Sequence, residues 1–441
     1  MRAALGFLGA CALIQTAALA QSEDPKDLLL RVRASVLDTV KRLPKYMCSL
    51  TVERAVYAGP PHESRSCDAL IAQHNQGTLK TDLGETDRLR LDVGVAGLNE
   101  MFSWVGENRF DDKDLFDLVG QGALQVGDFS GFLTTIFGGE DADFSYDGQT
   151  QINGRMLAKF GFRVDAGKSH YVFSNRQLGR ETVTGYEGYF LADPGTGDLV
   201  RLLIRTNSDI SETGSCESDT RLDYIRVRLN NSEFLLPRES ELHIVTVNGG
   251  ERTNRTTYAN CHEFLGESEL RFDIPVPEAI TRAAKSSGPP AIPAKLPFKL
   301  VFTQSIDANA AAAGDKIKAK LASPIRNAST KEILVPAGAD VVARITRFQY
   351  FPKERSILML VTLESAMARG EQVPLAATTL LELKPGSGSV LEAPGLRRRV
   401  PLGSFRSLTN PKSGVFEFRR VGQDYVIPSG LKSDWVTIPP K

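Results

Sequence analysis

Between Asp24 and Leu43 the apolar side chains recur three or four residues apart, at Leu29, Val32, Val36, Val40 and Leu43. That spacing places them on one face of an amphipathic helix. Pro25 fits the first turn of such a helix and Pro44 stops it. Beyond Pro44 the period changes to two. YMCSLTVERAVYA alternates as a strand does, and DRLRLDVGV sets Leu89, Leu91 and Val93 on one face. The chain thus opens with a helix and turns to strands.

One later stretch returns to helical spacing. Phe129, Phe132, Leu133, Ile136 and Phe137 fall at i, i+3, i+4, i+7 and i+8, and Gly138-Gly139 ends the run. This is a short helix with a Phe-rich face. It packs into a core, or it covers an apolar cavity in a curved sheet and meets an acyl chain there. After it come the turn signals YDGQTQINGR, VDAGKS, LADPGTGDLV, RLNNSEF and VTVNGGERT. Alternating runs such as RMLAKFGFRV, GYEGYFL, LVRLLIRT and SELHIVTV lie between them. Consecutive strands joined by tight polar turns predict an antiparallel meander, not βαβ units.

Residues 274–297 are rich in Pro, Ala and Ser and read as a linker. A second β-rich region follows over 298–441, with KLVFTQSI, DKIKAKLASPI, EILVPAGADVVARITRFQYF, SILMLVTLESA, EQVPLAATTL and SGVFEFRR as its strands. PGSGSVLEAPGLRRR reads as a loop inside it, with Arg397-Arg398-Arg399 solvated. A chain of 441 residues exceeds one ordinary core. Two domains are expected, 24–273 and 298–441.

Lys+Arg and Asp+Glu are equal at 53 each, which gives no support for a nucleic-acid partner. The first residues change the picture more. Arg2 precedes an uncharged apolar stretch from Ala3 to Ala18, and Ala18-Leu19-Ala20 is a small-x-small cleavage site. Residues 1–20 therefore read as a secretory signal peptide. Leu8-Gly9-Ala10-Cys11 has the outline of a lipoprotein cleavage box, but its apolar run is short, and anchoring at Cys11 is not expected. No later segment has the roughly 20 apolar residues of a membrane span. The expectation is an exported soluble protein, periplasmic or extracellular, and not an integral membrane protein.

Cys11 leaves with the signal, and Cys48, Cys67, Cys216 and Cys261 remain. An even count in an exported chain points to disulfides. Three pairings exist. Cys48–Cys67 with Cys216–Cys261 is preferred, because each pair brackets a segment able to form a hairpin or neighbouring strands. Cys261-His262-Glu263 could suggest a metal or thiol centre, yet on a strand His262 points away from its neighbours. His62, His74, His170 and His243 are scattered, so no metal is expected. Asp141, Asp143 and Asp147 do not have calcium-loop spacing, and GGEDADF reads as a helix-ending turn before a strand. The phosphate-loop, dinucleotide, nucleophile-elbow and zinc-protease motifs are absent, so no cofactor and no catalytic residue is assigned.

The signal, first helix, meander, Phe-rich helix and hairpins such as GYEGYFLADPGTGDLVRLLIR together resemble the lipoprotein-localisation-factor superfamily. Over residues 24–273 the resemblance implies a strongly curved, unclosed antiparallel β-barrel whose helices close over a hydrophobic interior for lipoprotein acyl chains or envelope components. FTQSIDANAAAAGDKIKAKLASPIRNASTKEILVPAGADVVARITRF resembles, more loosely, the periplasmic β-barrel subunit of type IV secretion systems. It implies a small C-terminal β-barrel or sandwich. The chain is thus expected to be a mainly β envelope protein. It would bind lipid, lipoprotein or another apolar ligand non-catalytically, under a cover of Phe129, Phe132, Leu133, Ile136 and Phe137. The alternatives are a module binding an envelope protein partner without a small ligand, and a carboxylate-dependent hydrolase.

Overall fold

The computed structural model describes residues 24–439 except 61–64, 98, 108–109, 111–114, 120–121, 126, 177, 207–208, 265–291 and 380–412. The expected signal peptide, residues 274–291 of the expected linker and Arg397–Arg399 lie outside the described residues.

Helix α1 spans Pro25–Arg42, started by Asp24, whose side chain accepts from the Lys26 N–H at 2.8 Å. Its buried stripe is Leu28, Val32, Val36 and Thr39. Leu29 and Val40 lie half-buried at its edge, and Leu43 is the C-cap. Next come β1 (Tyr46–Ala58), α2 (Cys67–Asn75), β2 (Asp82–Ala96), β3 (Asn99–Trp104), α3 (Leu115–Val119) and α4 (Gly131–Gly138). The meander follows as β4 (Asp143–Ile152), β5 (Arg155–Val164), β6 (Val172–Asn175), β7 (Arg180–Val183), β8 (Tyr186–Ala192), β9 (Leu199–Thr206), β10 (Ser215–Leu229), β11 (Ser232–Thr246) and β12 (Glu251–Glu263).

The sheet order is β4-β5-β8-β9-β10-β11-β12-β1-β2-β3, and every pairing is antiparallel. The first strand therefore sits between the last strand of the meander and β2. Among the described residues β3 and β4 do not pair, so the sheet is an open barrel. Helices α1 and α4 pack on its inner face against Phe160, Phe190, Leu202 and Leu222. The β8–β9 turn holds α1 in place. Arg31 donates to the Pro194 carbonyl at 2.6 Å, and Asp193 accepts from the Gly195 N–H at 2.8 Å. Arg33 then caps α4, donating to the Phe137 and Gly139 carbonyls at 3.1 and 2.7 Å.

The strand positions of the cysteines overturn the expected disulfides. The bonds are Cys48–Cys261 and Cys67–Cys216. β1 and β12 are neighbours with Met47 opposite His262, so Cys48 meets Cys261 across one rung. Cys67 begins α2, which packs on β10, not in a hairpin with β1. Proximity in sequence misleads here because the chain closes its first strand against its last.

The C-terminal β-rich region contains β13 (Pro297–Phe302), β14 (Ile306–Asp307), β15 (Lys316–Leu321), β16 (Ile325–Arg326), β17 (Ile333–Val335), β18 (Asp340–Phe351), β19 (Ser356–Ala368), β20 (Glu371–Pro374), β21 (Ala377–Thr379), β22 (Gly414–Arg419), β23 (Val426–Ile427) and β24 (Lys432–Thr437). Its main ladder runs β22-β19-β18-β15-β13-β24-β21. The Thr378 hydroxyl, donating to the Ser413 carbonyl at 2.9 Å, draws β21 toward β22. Trp435 fills the centre, and Gly414 is obligatory there, since a Cβ would lie 2.2 Å from the indole. Ile292 and Leu296, at the end of the expected linker, are buried in this core.

The two β-rich regions are joined through their backbones. β18 pairs with β2 at Gln349–Asp87 and Tyr350–Thr86, and Ala313 exchanges hydrogen bonds with Arg88 and Arg90 at 2.8 and 2.7 Å. Arg344, 2% exposed, pairs with Glu364 and with Glu107 at 2.6 Å, and donates to the Gly314 and Val105 carbonyls. Among the described residues no helix is long and apolar enough to cross a membrane.

Candidate functional site

Leu242 and Ile244 of β11 and Arg252 of β12 face the interior of the open barrel, where a cavity of about 700 Å³ remains. That volume lies in the range of small-ligand sites, about 300–1,000 Å³. Phe132 and Thr135 of α4 line one side, with Gly127, Gln125 and Leu124 from the loop before it. The opposite side is the β6–β7 hairpin, which contributes Val172, Phe173, Ser174, Asn175 and Arg176.

This hairpin is a separate two-stranded sheet, closed at its base by the Thr184 N–H to the Tyr171 carbonyl at 3.0 Å. Phe173 packs it into a small cluster with Ala123, Ile210, Leu242 and Ile244. Asn175 donates to the Thr213 carbonyl and Arg180 to the Glu212 carbonyl, both at 2.8 Å. The Arg176 guanidinium stands 4.6 Å from the centre of the Phe116 ring of α3. That contact joins the hairpin to the far wall of the cavity. A lone hairpin is marginal by itself, so this wall depends on its contacts with the rest of the chain. Val172, Leu178 and Val183 on it are exposed.

The five residues of the Phe-rich stripe do not act as one surface. Phe132 lines the cavity, edge-on to Tyr171 at 5.5 Å. Leu133, Ile136 and Phe137 are buried in the packing of α4 against α1 and the sheet, with Phe137 edge-on to Phe190 at 5.1 Å. Phe129 precedes the helix and belongs to a different cluster, between Tyr46 and Tyr258 at 5.8 and 5.1 Å.

Buried polar groups fix the loop in front of α4. Glu100 of β3 accepts from the Gly127 and Phe129 N–H groups at 2.9 and 3.3 Å. Burial, then the neighbouring Asp128, pushes its carboxyl up to about 7. Asp128 is also raised by burial, against hydrogen bonds from Tyr258 and Gln125. The Asn254 amide donates to the Ala123 carbonyl at 2.9 Å. These two carboxyls are convergent titratable groups, as a hydrolase would need. The void beside them, however, is only about 20 Å³. They serve as the anchor of the cavity wall.

One polar group within the cavity lining lacks a partner. The Tyr186 hydroxyl is buried without a hydrogen bond among the described residues. Burial and Asp141 raise it to about 12, so it stays a donor. Sequence reading missed the hairpin, Arg176 and Tyr186. The short β6 and β7 runs and a Tyr among many carry little periodic signal. Cys261, His262 and Glu263 do not converge. His262 is exposed and its Nδ1 lies 2.8 Å from the Asn260 carbonyl, while Glu263 meets Asn230. His74 and His243, remote in sequence, are stacked at 4.2 Å on the outer face of the sheet.

No protein-family model and no curated protein sequence matches the chain. Among solved structures, the chain is similar to a DUF1329 family protein from Desulfovibrio piger at 10% identity, covering 56% of this chain and 95% of that one, with a TM-score of 0.25. It is similar to a putative outer membrane lipoprotein-sorting protein domain from Vibrio parahaemolyticus at 8% identity, covering 54% and 94%, with a TM-score of 0.26. It is also similar to a LolA superfamily protein from Nitrosomonas europaea at 9% identity, covering 54% and 93%, with a TM-score of 0.22.

Proposed function

We propose that this is an exported envelope protein that binds an acyl chain, from a lipid or a lipoprotein, in the cavity of the open barrel without covalent chemistry. The observation that carries this is the cavity of about 700 Å³ between the sheet and its cover, walled by Phe116, Leu124, Phe132, Phe173, Leu242 and Ile244. Each buried methylene contributes about 0.8 kcal/mol, so an apolar groove of this size holds a chain without a charged contact. The cover is Phe132 with the β6–β7 hairpin, and Leu133, Ile136 and Phe137 hold α4 in place behind it. The two disulfides suit an oxidising compartment.

A fluorescent fatty acid titrated into the delipidated protein tests this. Saturable binding, displaced by phospholipid and weakened about 100-fold in Gly131→Leu, is the expected result. A probe that does not bind, or binds unchanged when the cavity is altered, would overturn it.

A further inference from the structure

Leu242 and Ile244 face the cavity, so His243 between them points to the opposite face of the sheet. Helix α2 lies on that face. Cys67–Cys216 bonds it to β10, and Leu70 packs with Val245. This docking brings His74, in the last turn of α2, onto His243 with ring planes 15° apart. Asp219 of β10 is the cross-strand partner of His243.

Glu251 sets the chemistry of both rings. Its Oε1 lies 2.9 Å from His74 Nδ1 and 3.2 Å from His243 Nε2, and its Oε2 accepts from the Thr81 hydroxyl at 3.0 Å. A carboxylate only accepts, so each ring directs an N–H at Glu251. In the neutral rings the opposite nitrogens, His74 Nε2 and His243 Nδ1, then carry lone pairs. His243 Nδ1 is buried with no hydrogen-bond partner and lies 4.0 Å from Asp219 Oδ2. Ligand atoms of His74, His243 and Asp219 all fall within 4.8 Å of one another. An imidazole lone pair lies in its ring plane, so bonds of about 2.0–2.2 Å to one tetrahedral ion require the two rings to turn out of their stacked arrangement as the ion binds.

We propose that His74, His243 and Asp219 form a binding site for a divalent transition-metal ion of the zinc class. Glu251 orients the two imidazoles from behind, as carboxylates do in histidine metal sites. Two imidazoles and one carboxylate favour zinc or its neighbours over calcium or magnesium. Three protein ligands leave a fourth position for water or a partner's side chain. The site is on the other face of the sheet from the cavity, so it stands or falls independently of acyl binding. Because α2 carries His74 and Cys67 holds α2, the disulfide is part of the site's construction.

The test is calorimetric titration of ZnCl₂ into the untagged, oxidised, chelator-treated protein, with Co²⁺ absorption as a second readout. One ion per chain is expected, with visible d–d bands of tetrahedral intensity for Co²⁺. His74→Ala and Asp219→Asn should each weaken binding at least 100-fold. Glu251→Gln should weaken it about 10- to 100-fold, and His262→Ala should leave it unchanged. His74 and Asp219 are both partly exposed, so these variants keep the test available if His243→Ala does not fold. Absence of zinc binding, or binding equal in His74→Ala and the parent protein, would overturn the proposal.

Discussion

Gly131 offers the least disruptive way to fill the cavity. It lines the cavity at the first position of α4, and a Cβ added there meets nothing within 4 Å. Leucine at this position would place about four carbon atoms where ligand carbons otherwise lie. Displacing about four methylenes at about 0.8 kcal/mol each removes about 3 kcal/mol of binding. That is roughly two orders of magnitude in Kd. The fold should not suffer, because replacing glycine in a helix reduces the unfolded chain's freedom and contributes up to about 1 kcal/mol. The assay is displacement of a fluorescent fatty acid, with thermal melts on the same samples. A Kd raised about 100-fold with Tm equal or higher is expected for Gly131→Leu. Unchanged affinity in a folded Gly131→Leu variant would refute the placement of the ligand in this cavity.

Arg176→Ala removes the contact with the Phe116 ring that ties the hairpin to α3. A cation–π contact of about 0.5–2 kcal/mol translates into ligand dissociation several-fold to about 30-fold faster, read by stopped-flow exchange. Glu100 titrates near 7 in the fold and near its ordinary 4.5 when unfolded. The folded state therefore favours the protonated acid, and this stabilisation is full below pH about 4.5 and lost as pH rises through about 7. The loss is about 3 kcal/mol, and urea melts of Glu100→Gln should show a correspondingly smaller decline over that window than the parent protein. Removing one member of a buried charge network costs about 3–5 kcal/mol. Arg344→Ala should therefore loosen the joint between the two β-rich regions and split one calorimetric transition into two; a single unshifted transition would contradict the coupling.

Much of the fold is legible in the chain. The period-two runs and the Asn-Gly and Gly-Gly turns identify β1, β5, β8, β9 and β11, because a strand half-covered by a core must alternate, whereas Asp147-Gly148, which reads as a turn, is a bulge inside β4. Ser66 is an N-cap, accepting from the Ala69 N–H at 3.3 Å, and it marks α2. Yet CDALIAQHN has too weak an amphipathic pattern to announce a helix, since only Leu70 is fully buried. The disulfides and the His74–His243 pair depend on which distant strands become neighbours. Local spacing contains no such information. The Phe-rich stripe shows the other limit of periodicity. Its spacing is truly helical from Phe132 to Phe137, but Phe129 lies before the helix and packs elsewhere. Spacing identifies an apolar face and not what covers it. The cavity itself arises from the hairpin and the loop before α4, neither of which repeats with any period.

The central claim is that the barrel holds an acyl chain, and native mass spectrometry of the mature protein purified from an oxidising compartment tests it most directly. Organic extraction and lipid analysis of the same sample identify the passenger. An acyl species at near-unit ratio, absent from Gly131→Leu, is the predicted result. A bare polypeptide mass that takes up no lipid when lipid is supplied would contradict the account.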